Sequence, residues 1–272
     1  MASDNVIVES YDATTGEVKL DAKWTLNFYH WGADKSPGDK YGGADMRGEV
    51  IFLSRNIKIV GEDVDSWGGH IVTADTAEIN GDGTIKERIG HTFMQWVEMH
   101  NLSQIDSDRA ALRFESAAAG HSNIVNCSVH NGFGWGIYIK NSNNVHIRDS
   151  RIYNFRPIGV NIQDVKNVTF DRNVVAHIVL RTTLDNDKAD PDEECGVCTC
   201  TYTNSNSEKC VDTFVTNNIV AGAHWVGMTL QGFKCGKPEL SSHFGNVIHS
   251  VAESHGGYGA VIHPDYGDPE QT

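Results

Sequence analysis

A cluster of charged residues between positions 105 and 115 has the residue types that acid–base chemistry on a polysaccharide would need. The cluster consists of three carboxylates and two arginines: Asp106, Asp108, Arg109, Arg113 and Glu115. Two carboxylates on either side of a glycosidic bond can hydrolyse it, and carboxylates that hold calcium beside a basic side chain would suit a lyase. The competing interpretation is a solvated turn, because IDSDR is turn-like and turns usually carry charge.

Four of the six cysteines fall within sixteen residues, so a metal site has to be considered. They form the pattern C-x2-C-x-C-x9-C, made by Cys195, Cys198, Cys200 and Cys210. Structural zinc sites use paired C-x2-C units or add histidines, so this spacing fits zinc poorly. Disulfides are the alternative, and four cysteines allow three pairings. Cys127 stands apart, either as a buried thiol or as a partner of Cys235.

The acidic run 185–194 contains a loose calcium-loop pattern. Its candidate ligands are Asp185, Asp187 and Asp190. A calcium loop also needs a glycine and a closing bidentate glutamate, and both are missing at the required spacing. We therefore expect a solvated loop and no cofactor, with calcium as the remaining alternative.

The histidines and tryptophans add no catalytic pattern. The 13 histidines are scattered and never form H-E-x-x-H, and the chain has no nucleophile elbow, phosphate loop or dinucleotide fingerprint. We interpret the histidines near expected turns as surface or stacked side chains: His100, His130, His146 and His177. Trp135 and Trp225 lie near equivalent positions of the repeat, before Gly136 and Gly227. There they either pack at a corner or stack on sugar rings.

The composition indicates the kind of element that must position these residues. The chain has 25 Val and 20 Ile against 9 Leu, together with 27 Gly and 21 Asn. β-Branched residues favour strands and are poorly suited to helices. Glycine and asparagine adopt the left-handed conformation that tight turns require. Short strands separated by tight turns are therefore expected.

An internal repeat predicts how these strands are arranged. A shift of 23 residues places Ile124 on Ile147 and then Phe170, and Val129 on Ile152 and then Val175. The leucine framework of leucine-rich repeats is absent, which leaves a parallel β-helix with about three strands per coil. We predict one all-β domain over residues 1–272, a right-handed parallel β-helix of about seven to nine coils. Both sets of residues should form buried columns, and Asn131 should bond to Asn154 in the next coil.

The cysteine-rich stretch 179–213 breaks the repeat, so it is predicted to be a loop insertion. The first residues, MASDNVIVESYD, lack a basic and an apolar region, and the last residues, DYGDPEQT, lack an evident cap. We therefore expect this chain to be a segment of a larger protein or to stack on a partner.

The stretch GGADMRGEVIFLSRNIKIVGED (Gly42–Asp63), followed by WGGHIV (Trp67–Val72), resembles the region after the G8 domain in fibrocystin, fibrocystin-L and the cell-surface hyaluronidases. In that superfamily this strand pair leads into a parallel β-helix. The resemblance implies an extracellular or cell-surface ectodomain, and with it disulfides among the four clustered cysteines. The sequons at Asn101, Asn126 and Asn167 agree with secretion and are the candidate glycosylation sites.

The same resemblance bears on catalysis. The hyaluronidase branch carries R-x-P-I-H-F-H, and the matching stretch here is RAALRFE (Arg109–Glu115), so Arg113 and Glu115 stand where the two histidines would be. Those imidazoles would be needed as bases or metal ligands. The resemblance therefore implies a segment without enzymatic activity.

Charge and hydropathy narrow the list of partners. The formal net charge is −14, which argues against nucleic acid, and the apolar runs are far shorter than the roughly 20 residues that span a bilayer. We expect a non-catalytic extracellular scaffold that binds proteins or glycans. The alternatives are a polysaccharide-active enzyme, hyaluronidase- or lyase-like, and a filament or surface-appendage subunit whose coils stack end to end.

Overall fold

The computed structural model describes residues 4–28, 30, 32, 47–62, 65, 67–180, 194–200, 210–231, 241–252 and 257–263. The chain falls into two compact units, residues 1–50 and residues 51–272. All regular elements in the described ranges are β-strands, as the sequence predicted. None of the described residues forms a helix that could cross a membrane.

The first unit contains an antiparallel hairpin of β1 (Val8–Tyr11) and β2 (Val18–Leu20). The carboxylate of Asp12 holds the turn between them, because its Oδ1 accepts a hydrogen bond from the Thr14 amide at 2.7 Å. Gly16 closes the turn with a φ of +75°, a left-handed conformation that favours glycine.

The second unit is built from three parallel sheets. In spatial order, sheet 1 contains β7 (Phe93–Gln95), β10 (Ser122–Val125), β13 (Asn143–Arg148), β16 (Lys166–Asp171), β19 (Val211–Thr216) and β22 (Ser241–Phe244). Sheet 2 contains β3 (Ile57–Val60), β8 (Val97–His100), β11 (Ser128–His130), β14 (Arg151–Phe155), β17 (Val174–Ile178), β20 (Ile219–Ala223) and β23 (Val247–His249). Sheet 3 contains β4 (Ile71–Thr73), β9 (Leu112–Glu115), β12 (Ile137–Lys140), β15 (Val160–Gln163), β18 (Cys195–Thr199), β21 (Val226–Gln231) and β24 (Tyr258–His263).

The order of the strands along the chain is cyclic. From β7 onward the chain passes through sheets 1, 2 and 3 in turn, and the next strand of each sheet comes one cycle later. A separate antiparallel hairpin, β5 (Thr76–Ile79) and β6 (Ile85–Arg88), is inserted between β4 and β7. The parallel sheets and their cyclic order are compatible with the predicted β-helix.

The two predicted apolar columns are confirmed. Ile124, Ile147 and Phe170 are register partners on neighbouring strands of sheet 1, and all three side chains are completely buried. Val129, Ile152 and Val175 do the same in sheet 2. Burial of each such side chain contributes about 1.5–3 kcal/mol. The repeat of 23 residues therefore corresponds to one cycle through the three sheets in this part of the chain.

Left-handed residues recur at the corners between sheets. At the ends of the strands of sheet 2, as the last residue but one or directly after the strand, they are Asn101, Asn131, Asn154, His177, Gly222 and Ser250. The Nδ2 group of Asn154 donates a hydrogen bond to Oδ1 of Asn131 at 3.0 Å, which confirms the predicted asparagine pair.

A second asparagine ladder, which the sequence analysis missed, lies in the interior at the corner before sheet 2. Oδ1 of Asn218 accepts hydrogen bonds from the backbone amide of Asn173 at 2.9 Å and from its Nδ2 at 3.2 Å. Oδ1 of Asn246 does the same for Asn218, at 3.0 Å in both cases. An asparagine before two apolar residues at the start of β17, β20 and β23 was the available signal.

The prediction of a loop over residues 179–213 is wrong for its middle and its end. Cys195–Thr199 form β18, which pairs with β15 and β21, and the stretch runs into the first residues of β19. The strand was not recognised because Cys195 and Thr199 are register partners of the apolar residues Val226 and Ile162 on the neighbouring strands. Only Val197, which is buried and pairs with Val160, keeps an apolar residue at an interior position. Residues 181–193 and 201–209 lie outside the described ranges.

Candidate functional site

The predicted charged cluster is organised around Arg113 on β9. Its Nη1 lies 3.2 Å from Oδ1 of Asp108, and its Nη2 lies 2.6 Å from Oε2 of Glu115. Arg109 donates instead to Oε1 of Gln104 at 3.1 Å. Asp106 is exposed in the preceding turn, with a φ of +50°. The structure therefore brings together three of the five predicted residues, as an ion-paired group.

This ion pairing limits what the carboxylates can do. Hydrolysis needs one carboxyl group as a proton donor and another as a base or nucleophile on opposite sides of the scissile bond. Here Asp108 and Glu115 are both counter-ions of the same guanidinium. That arrangement is typical of a structural ion pair.

Two neighbours of Arg113 were not among the predicted residues. Its guanidinium carbon lies 5.6 Å from the ring centre of Tyr138, whose pKa is raised by burial, so the phenol stays protonated. Partial burial, together with the positive charges of Arg109 and Arg113, lowers the pKa of His70. This shift favours the neutral form of His70 beside the ion-paired group. His70 is a single histidine after WGG, and nothing in the sequence indicates that it lies near Arg113.

The clustered cysteines form two pairs at disulfide distance. Cys195 pairs with Cys198, with Cα atoms 5.7 Å apart, and Cys200 pairs with Cys210, with Cα atoms 5.8 Å apart. Such pairs suit an oxidising environment. Cys127 is a free, buried thiol, and burial raises its pKa. Its predicted alternative partner, Cys235, lies outside the described residues.

The calcium candidates Asp185, Asp187 and Asp190 lie outside the described ranges. Among the residues that the structure describes, no group of three or more His, Cys, Asp or Glu side chains is arranged to hold a metal ion.

The three sequon asparagines all have left-handed backbone conformations at turns or irregular strand positions. Asn167 is exposed, and its Nδ2 donates to Oδ1 of Asn144 at 2.8 Å. Asn101 and Asn126 are half-buried. Of the three, Asn167 offers a glycan the freest surface.

The two tryptophans at the coil corners act as packing residues. Trp135 and Trp225 are both partly buried against one apolar cluster on the outside of sheet 3, formed by Ile158, Cys195, Cys198 and Val226. This contact supports the corner-packing interpretation over an open platform for sugar rings.

A group of polar side chains surrounds the buried Glu98 on the outer face of sheet 2, and we call it the Glu98 cluster: Lys58, Glu98, His100 and His130. The side chain of Glu98 is only 5% exposed. One of its oxygens, Oε2, lies 3.1 Å from Nζ of Lys58. The other, Oε1, lies 3.4 Å from Nε2 of His130 and 3.8 Å from Nε2 of His100.

The two histidines of the Glu98 cluster are register partners on β8 and β11, and their rings stack with centroids 5.3 Å apart. Surface or stacked histidines were predicted from sequence, but the pairing of these two with each other and with Glu98 was not. The two histidines are 30 residues apart, so they do not fit the 23-residue repeat. The extra length comes from a longer connection, residues 101–111, between β8 and β9.

Burial and hydrogen bonding together set the protonation of Glu98 and His130. Burial alone would raise the pKa of Glu98, but hydrogen bonds from the Arg55 amide and from Lys58 outweigh it, so the pKa lies below its usual value. Burial lowers the pKa of His130 to about 4, against the opposing attraction of Glu98. At neutral pH the cluster therefore holds an ionised carboxylate beside a neutral imidazole.

The chain matches no protein-family model, no curated protein and no solved structure. The class that its own geometry defines is an all-β protein of three parallel sheets with two cysteine pairs.

Proposed function

We propose that this chain is a non-catalytic scaffold segment of an extracellular or cell-surface protein, wound as a right-handed parallel β-helix. The chain visits its three sheets in a fixed cyclic order. Connections between parallel strands of one sheet are right-handed in about 98% of cases. These two points support the winding and its hand.

The pairing of Arg113 with both Asp108 and Glu115 carries the proposal that the segment is not an enzyme. It occupies two of the three carboxylates that the sequence offers for glycan hydrolysis, Asp108 and Glu115. The buried columns and the interior asparagine ladder support a rigid rod, because each coil is held to the next by packing and by hydrogen bonds. The outer faces of such a rod would bind proteins or glycans.

An extracellular location is supported by the two cysteine pairs and by the resemblance of the stretch 42–63 to the post-G8 region of fibrocystin-like proteins. Expression in a secreting eukaryotic cell tests it. A mass loss on enzymatic removal of N-glycans, abolished by Asn167→Gln, is the expected result. A secreted protein that carries no glycan at Asn167 would contradict the glycoprotein part of the proposal.

Glycan depolymerisation tests the absence of catalysis. Wild type is incubated with hyaluronan, pectin and chondroitin, with and without millimolar calcium, and new chain ends are counted. Glu115→Gln, Asp106→Asn and His70→Gln serve as matched variants. We expect no turnover above that of heat-denatured protein. Turnover that any of these variants abolishes would establish the polysaccharide-active enzyme in place of the scaffold.

A filament subunit is the second candidate, favoured by the exposed apolar side chains on the outermost strands of the three sheets. Phe93 on β7 is 61% exposed, and Phe244 on β22 and Ile262 on β24 are 59% and 69% exposed. Sedimentation at increasing protein concentration tests self-association. Phe244→Lys should abolish it, and Phe52→Lys, at an equally exposed residue away from these strands, should not. A monomer at all concentrations would exclude this candidate.

A further inference from the structure

One segment of the second unit covers the outside of sheet 2 without joining it as a strand. This covering segment, Ile51–Arg55, has no strand pairing along its length. Ile51 and Leu53 pack against three outward-facing side chains of sheet 2, which we call the outer apolar patch: Tyr153, Ala176 and Ala221. The three side chains of the patch are buried, although each follows directly in its strand after a residue of the main core: Ile152, Val175 and Val220. The covering segment therefore shields it from water.

The polar anchor of the covering segment is Glu98. The backbone amide of Arg55 donates to Oε2 of Glu98 at 2.8 Å. The Arg55 guanidinium turns away from Glu98, donates to the carbonyl oxygen of Asn126 at 2.9 Å, and lies 5.6 Å from the ring centre of Trp96. The hold on the main chain of the segment thus depends on a buried carboxylate.

The charged and titratable groups around Glu98 come from four strands and the covering segment. They are Lys58 on β3, His100 on β8, His130 on β11, Arg151 and Tyr153 on β14, and Arg55 itself. His130 is 7% exposed, and neither of its ring nitrogens makes a hydrogen bond. Burial of this imidazole makes its protonated form costly, despite the attraction of the nearby Glu98 carboxylate.

We propose that the Glu98 cluster is an acid-sensitive latch: in neutral surroundings the Glu98 carboxylate keeps the covering segment on sheet 2, and protonation of the cluster in acid releases the segment and uncovers the outer apolar patch. The geometry that supports it is the convergence of two stacked imidazoles on the one carboxylate that binds the backbone of the segment. The latch does not depend on whether the chain is a scaffold.

The direction of the pH effect follows from both groups. The folded pKa of His130, about 4, lies below its ordinary 6.5, so its protonated form favours the open state as the pH falls between these values. The pKa of Glu98 lies below its ordinary 4.5, so its contribution to the closed state is present above pH 4.5 and is lost in stronger acid. Both titrating groups therefore weaken the closed state in acid.

Hydrogen exchange of the whole chain, followed by mass spectrometry, measures the latch. After correction for intrinsic exchange rates, the closed-to-open ratio of the covering segment should fall about 30-fold between pH 7.5 and pH 5, from His130 alone. Peptides that contain the core residue Ile147 should keep their protection. A hydrophobic dye should bind at pH 5 as the outer apolar patch becomes exposed.

Three variants separate the latch from general acid instability. His130→Phe preserves the ring stack with His100 and removes the titration, so most of the acid response should disappear. Glu98→Gln should loosen the covering segment already at pH 7.5. His146→Phe, at a half-buried histidine on sheet 1, should leave the response unchanged. Equal protection of the segment at both pH values in wild type, a full acid response in His130→Phe, or simultaneous loss of core protection would each overturn the proposal.

Discussion

The interior asparagine ladder gives the sharpest test of how successive cycles of strands are joined. The perturbation is Asn218→Ala, at a completely buried side chain between Asn173 and Asn246. The substitution removes the oxygen that accepts two hydrogen bonds from Asn173 and the amide group that donates to Phe170 O at 2.9 Å. It leaves a φ that alanine can adopt, because Asn218 is not among the left-handed residues.

The expected loss of stability follows from the groups left without partners. The backbone amide of Asn173 loses its acceptor, and so does one hydrogen of its Nδ2; the other still donates to Ile147 O at 3.0 Å. A buried donor without an acceptor costs about 1–3 kcal/mol, so two of them give a total of about 2–6 kcal/mol. A water molecule admitted into the space would place the result at the lower end.

Asn143→Ala is the matched control. Asn143 also accepts from one backbone amide, that of Lys166 at 3.1 Å, and donates to one carbonyl, that of Ala118 at 3.2 Å. It lies at a half-exposed position where water can replace both partners, so we expect a loss of about 1 kcal/mol or less. The two variants thus remove the same side-chain amide, from a completely buried position in Asn218→Ala and from a half-exposed position in Asn143→Ala.

Urea unfolding of both variants, followed by far-ultraviolet circular dichroism, is the assay. Asn218→Ala should lower the midpoint by several times the shift in Asn143→Ala, with the slope of the transition unchanged. Equal shifts in the two variants would refute the reasoning, because they would mean that the interior ladder is satisfied by water or contributes nothing between coils.

Other expected outcomes concern the core, the corners and the free thiol. Ile147→Asp should abolish folding, because it places a carboxylate in a completely buried column; a soluble variant with an unchanged melting temperature would contradict the register. Gly159→Ala should cost about 1–3 kcal/mol, since its Cβ would clash with the Gly196 carbonyl and lie 2.7 Å from Val175 Cγ1; Gly81→Ala, with open space around it, should be nearly neutral in the same thermal melt. Cys127 should resist alkylation at pH 8 until the protein is unfolded, because its thiol is buried with a raised pKa; rapid labelling of the native protein would disprove its burial. Peptide mapping without reductant should find the pairs Cys195–Cys198 and Cys200–Cys210 and no bound zinc, and any other pairing would count against the structure.

The repeat could be read from sequence because it is local and recurs at a constant shift. Ile124, Ile147 and Phe170 are register partners on neighbouring strands of sheet 1, and the choice of β-branched residues already disfavours helices. Asn131 and Asn154 belong to the same repeat, so their contact was predictable as well. The pairing of the cysteines was not, since spacing leaves three pairings open and β18 does not resemble the other strands of sheet 3.

The sequence by itself determined the period, the all-β class and the buried columns, because side-chain alternation and turn propensity act over a few residues. Only the tertiary structure decided the surroundings of the charged side chains. Arg113 and Glu115 were predicted to belong to one charged cluster, but the approach of His70 and Tyr138 depends on how β4 and β12 lie against β9. The Glu98 cluster depends in the same way on the register of β8 with β11 and on a segment that starts 47 residues earlier in the chain. Desolvation, which shifts the pKa of His130, is a property of what covers a group in three dimensions, and the linear sequence does not specify that cover.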